Sequence, residues 1–351
     1  MNNASHGAPD DQPHTYDALL YLSFGGPEGP HEVMPFLERV TAGRGVPRER
    51  LEDVANHYLR FGGVSPINEQ NRTVIAALRA ELATNGPDIP IYWGNRNAPP
   101  FVEDAVARMK ADGVRRAAAF VTSAWSSYSA CRQYREDIAR AQQVCGRGAP
   151  KIDKLRQFFN HPGFIEPQAE KVTDALEQIP RGRRREARLV FTAHSIPRAM
   201  AKTSSYVAQL HEAGALVAEL VPGEHDWDVV WQSRSGPPQV PWLEPDVCEH
   251  IEKLAVSNVT DVVVVPIGFV SDHLEVRFDL DIEAAEVAAA AGINMVRSET
   301  VGAHPRYVRM IRELLVERMT ARPERAFLGS WGAMHDVCAA DCCPAPVRRP
   351  A

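Results

Sequence analysis

Short apolar runs alternate with amphipathic stretches along almost the whole of this 351-residue chain, and that alternation is its strongest constraint. A parallel strand needs a long crossover to reach its neighbour, and the crossover is usually a helix. Strands are expected at 17–24, 89–95, 116–123 and 151–158, then at 187–194, 227–233, 261–268 and 293–299. The run "VVVV", Val262–Val265, has the composition of a central parallel strand buried on both faces. Helical periodicity fills 48–61, 71–83, 101–113, 132–143, 166–179, 205–221, 246–258, 275–292 and 305–319. Two sets of four strands predict an α/β protein of two similar domains, each a four-stranded parallel sheet flanked by helices, with a cleft between them. The domains are expected at 15–160 and 161–321, with the last helix able to pack back on the first domain. Residues 1–14 are polar and expected to be disordered, and 322–351 form a cysteine-containing tail without periodicity.

Composition narrows the function. A net charge of −6 argues against a surface for nucleic acid or another polyanion. The basic run "RGRRRE" at 181–186 lies between expected elements and reads as a solvated loop. No apolar run reaches the ~18 residues of a membrane span, and the N-terminus lacks the apolar core of a signal peptide. The chain is expected to be soluble and cytoplasmic, where thiols stay reduced, so its cysteines read as core fillers, nucleophiles or metal ligands.

In doubly wound sheets, ligands bind outside the carboxyl ends of the strands, and the polar clusters of this chain fall there. "SFGGPEGP", "TSAWSSYSAC", "AHS", "WQSRSGPPQVPW" and "GFVSDHLE" each follow an expected strand. The glycine-rich loop is neither G-x-G-x-x-G nor a P-loop, so it suits close backbone approach to something flat rather than a phosphate. His194 ends the fifth strand. A buried, satisfied histidine is the ordinary alternative, but imidazole at a cleft can take up a proton or ligate a metal. Glu275, Asp279 and Glu283 are spaced i, i+4, i+8 and would form one line of carboxylates about 12 Å long on a helix. A solvated acidic face is the plain reading. Mutual repulsion within the line, beginning in the proposed cleft, favours transient binding of a hard cation. "CAADCC" brings Cys338, Cys342 and Cys343 together in the tail, a pattern for an iron–sulfur cluster or zinc, with the fourth ligand among Cys131, Cys145 and Cys248. Trp231 and Trp242 flank a proline-rich turn and could be core or the wall of a pocket for a planar ligand.

Taken together and in order, "LSFGGPEGP", "FGGVSPIN", "TAHSIP", "WQSRSGPPQVPWLEP" and "PIGFVSDHLEV" resemble ferrochelatase, which inserts Fe(II) into a porphyrin in haem synthesis. The resemblance covers about residues 17–320 and is to the actinobacterial kind, similar to enzymes that act on coproporphyrin III rather than protoporphyrin IX. It implies two Rossmann-like domains in the class II chelatase arrangement, with no nucleotide. It implies that His194 and Glu275 are catalytic, and that metal passes His194, Glu275, Asp279 and Glu283. Phe24 stands where some relatives have a tyrosine near the iron. Ser65, Tyr134 and Trp231 fall at porphyrin-contacting positions. Two propionate-binding arginines of relatives fall on Thr41 and His57, and Arg44 or Arg96 is expected to substitute. A [2Fe–2S] cluster on Cys131, Cys338, Cys342 and Cys343 is implied, with Cys145 as the other choice for fourth ligand, and so is contact with other haem-pathway enzymes. Rival readings are a non-catalytic haem or iron carrier with a sensor tail, and a cobalt or nickel chelatase.

Overall fold

The structure is a computed structural model and describes residues 13–43, 45–236 and 239–345. Arg44 and most of the expected disordered N-terminus lie outside these residues. All eight expected strands form: β1 (Ala18–Ser23), β2 (Ile91–Asn95), β3 (Arg116–Val121), β4 (Lys151–Lys154), β5 (Arg188–His194), β6 (Trp227–Gln232), β7 (Asp261–Val265) and β8 (Asn294–Arg297). They make two four-stranded parallel sheets with the same order, β2-β1-β3-β4 and β6-β5-β7-β8. The halves therefore repeat a topology without repeating a residue pattern.

Strand parity sorts the core, because successive side chains point to opposite faces. Leu19, Tyr21, Phe191, Val263 and Val265 face inward and join one large cluster with Phe164, Leu210, Tyr307 and Leu314, which come from helices lying between the sheets. Ala18, Leu20 and Leu22 pack outward against Val102, Val106 and Ile138. Val190, Val262 and Val264 do the same against Ile251, Leu280 and Ala284. The helix Pro305–Met319 packs on both Ile67–Asn85 and Pro162–Glu177, so it belongs to the shared core.

Four features depart from expectation. Pro30–Val40 is a helix although it holds two prolines. Pro30 occupies the first turn, where no backbone donor is needed, and Val33, Phe36 and Leu37 supply a buried stripe. The strand expected over 151–158 ends at Lys154. The helix expected over 275–292 is interrupted by a π turn, Asp279–Ala284. The tail has no helix or strand up to residue 345, yet it is packed. Leu328 N donates to Asn160 O at 2.8 Å, Asn160 Nδ2 donates to Leu328 O and Gly332 O, and Trp331 meets Phe159 edge-on. Buried Arg156 grips Glu317 at 2.7 and 2.9 Å and also donates to Ala326 O.

Candidate active site

His194 sits at the carboxyl end of β5, opposite Gln232 in the β5–β6 register. Its Nδ1 lies in hydrogen-bond contact with Ser195 O. A carbonyl only accepts, so Nδ1 carries the proton, and in the neutral ring Nε2 keeps a free lone pair. Nε2 faces Glu275 Oε2 at 3.7 Å, with both side chains part-exposed. Tyr206 Oη donates to the His194 carbonyl at 2.9 Å and steadies the backbone beneath the ring. One glycine makes the pairing possible. A Cβ on Gly268, just after β7, would stand 2.6 Å from Ala193, so only glycine lets that loop pass against the strand carrying His194. His273 then caps the helix Leu274–Phe278 by accepting from Val276 N, and Glu275 lies in its first turn.

Of the three carboxylates, Glu275 and Asp279 are part-buried and Glu283 is exposed. The π turn keeps them in line. In an α-helix, four residues overshoot a full turn by about 40°. In the wider i→i+5 turn, four residues fall short of one. The step from Glu275 to Asp279 is mostly α and the step from Asp279 to Glu283 is π, so the two deviations largely cancel. Burial pushes the Asp279 carboxyl up to about 7; Ser233 and Gln232 bond it and oppose the rise, while the charges of Glu275 and Glu283 add to it. Burial also raises Glu283, with Asp246 and Glu286 adding to the rise. Tyr58 is buried near Glu275 and Asp279, and burial holds its phenol neutral, well above the usual range. Among the described residues, no three His, Cys, Asp or Glu side chains are gathered to chelate one ion. The line is a path of single carboxylates rather than a cage.

A second cluster lies on the first half. Cys131 is buried in a π turn, Tyr128–Arg132, capped by Ser127. Cys338 of the tail is its neighbour, Cys342 is next to Cys338, and Cys342 Sγ lies 3.7 Å from Cys343 Sγ. Cys145 is elsewhere, with its sulfur against Val106 O, and Cys248 is beside Asp246. Its neighbour Cys338, followed by burial, raises the Cys131 thiol well above its usual range. Arg132 and Arg135 hold the segment by donating to Ala340 O, Cys342 O and Ala339 O.

The ferrochelatase family profile matches residues 16–319. The chain belongs to the ferrochelatase family. It is 50% identical to the coproporphyrin III ferrochelatase of Streptomyces griseus over 97% of this chain and 96% of that one. It is 55% identical to the coproporphyrin III ferrochelatase of Mycolicibacterium smegmatis over 90% and 93%. It is 52% identical to the ferrochelatase of Rhodopirellula baltica over 95% of both. Among solved structures, SirB from Bacillus subtilis with Fe3+ matches at TM-score 0.55 and 14% identity over 87% of this chain and 96% of that one, which shows a shared fold.

Within a ferrochelatase-family fold, the expected porphyrin contacts are scattered. Phe24 follows β1, half-buried, edge-on to Phe36 and in one cluster with Leu274 of the carboxylate helix. Ser65 is buried against the glycine loop, where a Cβ on Gly26 would meet Ser65 Cβ at 2.6 Å. Tyr134 and Trp231 are core residues instead of open walls. Tyr134 lies under the Arg96 guanidinium at 3.7 Å, and Trp231 packs on Tyr206. Arg96 pairs with Asp137 and reaches Ser129 O and Gln133, while its Nη2 is buried without a partner. Thr41 ends the helix Pro30–Val40, and His57 stacks on Phe278 at 3.8 Å. Sequence reasoning missed Gln232 and Ser233, which hold Asp279. Their signal was their place at the end of β6 beside His194.

Proposed function

We propose that this protein inserts Fe(II), its substrate, into coproporphyrin III as a step of haem synthesis. The observation that carries the reading is the His194–Glu275 pair at the head of a carboxylate line, in a chain half identical to coproporphyrin III ferrochelatases. Metalation must remove two pyrrole protons and strip water from the ion. Nε2 of His194 accepts the two pyrrole protons in turn, passing the first to Glu275 and on toward solvent before taking the second, and each departure leaves a ring nitrogen its electron pair for iron. The imidazolium that forms is stabilised by the Glu275 carboxylate across the 3.7 Å gap. Asp279, with its carboxyl near 7, can hold or release a proton at neutral pH and stands between Glu275 and exposed Glu283. Of the expected porphyrin contacts, part-buried Phe24 stays assigned to the macrocycle, whereas Ser65 is as deeply buried as Tyr134 and Trp231. We place the protein in the cytoplasm; no helix among the described residues is long and apolar enough to cross a membrane. The domains are assigned as 15–160 and 161–321, in keeping with the two sheets. Anaerobic assay with Fe(II) and either coproporphyrin III or protoporphyrin IX tests the reaction. Faster insertion into coproporphyrin III is expected, and no insertion into either porphyrin would overturn the reading.

The same reading assigns Cys131, Cys338, Cys342 and Cys343 to a [2Fe–2S] cluster. Its support is the placing of Cys131 beside the tail run that holds Cys338, Cys342 and Cys343, thiols being the donor type such clusters take; the four are not gathered around one point, so the tail must draw in to bind it. When bound, the cluster adds a tie between tail and first half and a one-electron centre. As-purified protein should be red-brown, and Cys131→Ser colourless, while Cys145→Ser keeps the colour. A colourless protein with one zinc per chain would exclude the cluster.

A further inference from the structure

The carboxylate line depends on a π turn, and π turns are rare in isolation, which raises the question of what holds this one. Asp281 lies inside the turn, two residues from Asp279 and two from Glu283, so it projects away from the line. There it meets Arg297, the last residue of β8. Arg297 Nε and Nη2 both bond Asp281, Nη2 at 3.3 Å. The same guanidinium reaches back to Asp272, Nη1 to Oδ1 at 3.3 Å and Nη2 to Oδ2 at 3.2 Å. Asp272 stands three residues before Glu275 and is fixed by Thr300 Oγ1 at 3.2 Å; its backbone N–H donates to Gln70 Oε1 at 2.9 Å. Arg277 adds an ion pair to Asp281 at 2.9 Å. One planar cation on a sheet edge thus joins the loop that leads into the helix and the widened turn within it, the paired bidentate geometry that arginine alone provides.

We propose that Arg297 is a positioning residue for metal entry, clamping Asp272 to Asp281 and so maintaining the π turn that aligns Asp279 and Glu283. This rests on the reading of the carboxylate line as the Fe(II) path. Without the clamp the turn relaxes to the commoner i→i+4 pattern, and Glu283 rotates out of line with Asp279.

The test is Arg297→Gln in the full chain, with Arg297→Lys and Asp281→Asn beside it. Arg297→Gln should raise KM for Fe(II) about tenfold, the usual scale for losing an outer support of a metal path. Its kcat and porphyrin KM should stay close to wild type, and Arg297→Lys should recover part of the loss. A crystal structure of Arg297→Gln should show i→i+4 bonding through 279–284. Should Arg297→Gln fail to fold, Asp281→Asn carries the same test. An unchanged KM for Fe(II), a loss in kcat alone, or an intact π turn in the variant would overturn the clamp. A wild type that metalates neither porphyrin removes the function proposed above; the crystal structure still decides whether Arg297 holds the turn.

Discussion

His194 and His161 have opposite surroundings and opposite tasks. The His194 ring is a third exposed, pinned at Nδ1 and open at Nε2. His194→Ala removes the proton acceptor and little packing, so turnover should fall by about 10²- to 10⁴-fold, the usual contribution of a positioned general base. Porphyrin binding, read by fluorescence quenching, should survive, and turnover close to wild type would sink the assignment. His161 is fully buried and caps the helix Pro162–Glu177 by accepting from Gly163 N through Nδ1. Burial and the charges of Arg156 and Arg306 lower it to about 3, outweighing Glu313, whose carboxylate lies 3.7 Å from Nε2 and is shared with Arg306. In the unfolded chain it titrates at about 6.5. Between those values the unfolded state binds the extra proton, so stability falls as pH drops below about 6.5, by at most about 1.4 kcal/mol per unit. His161→Asn, which can still cap, should flatten the dependence of the melting temperature on pH between about 5 and 6.5. An unaltered acid slope in that variant would show that another group is responsible.

At the scale of elements, the carboxylate helix gives the sharpest contrast. Glu275→Gln should damage kcat, because Glu275 faces the proton acceptor at 3.7 Å. Glu283→Gln should act mainly on KM for Fe(II), because it lies at the exposed end. Equal effects of both on both constants would argue against a graded path. The i, i+4, i+8 spacing made this line legible in the sequence, and strand-end placement made His194 legible. The π turn was not legible, because the same spacing suits an unbroken α-helix and the clamp comes from β8, distant in sequence. The burial of Tyr134 and Trp231 was legible from periodicity alone. Tyr134, Ile138 and Ala141 form an i, i+4, i+7 buried stripe. Trp231 shares the parity of Val229 on β6, and both face the common core. The strands were legible because short apolar runs flanked by helices leave few alternatives. The tail was not, because its order comes from single hydrogen bonds to distant groups such as Asn160.

The whole molecule is held at one buried ion pair in particular. Arg156 follows β4, Glu317 is on the last helix, and Ala326 lies in the tail, so this guanidinium joins three distant parts of the chain. Glu317→Gln leaves a charge that is 1% exposed without its counter-ion. The variant should lose about 3 kcal/mol, read as a lower urea midpoint, as expected when one partner of a buried pair is removed. A midpoint equal to wild type would mean that the tail and last helix are secured elsewhere.

The placing of Pro305–Met319 against Ile67–Asn85 also has a consequence for biosynthesis. Chains emerge from the ribosome N-terminus first, and early domains ordinarily fold while later ones are still being made. Here Leu78 belongs to the same cluster as Tyr307, Met310 and Leu314. The backbone N–H of His14, before the first strand, donates to Arg318 O, at the end of that last helix. The nascent first half therefore waits, with an apolar flank uncovered, until the helix Pro305–Met319 has been made. Such an intermediate would engage a chaperone during translation, and a premature stop before residue 305 would yield an aggregating fragment rather than a folded half.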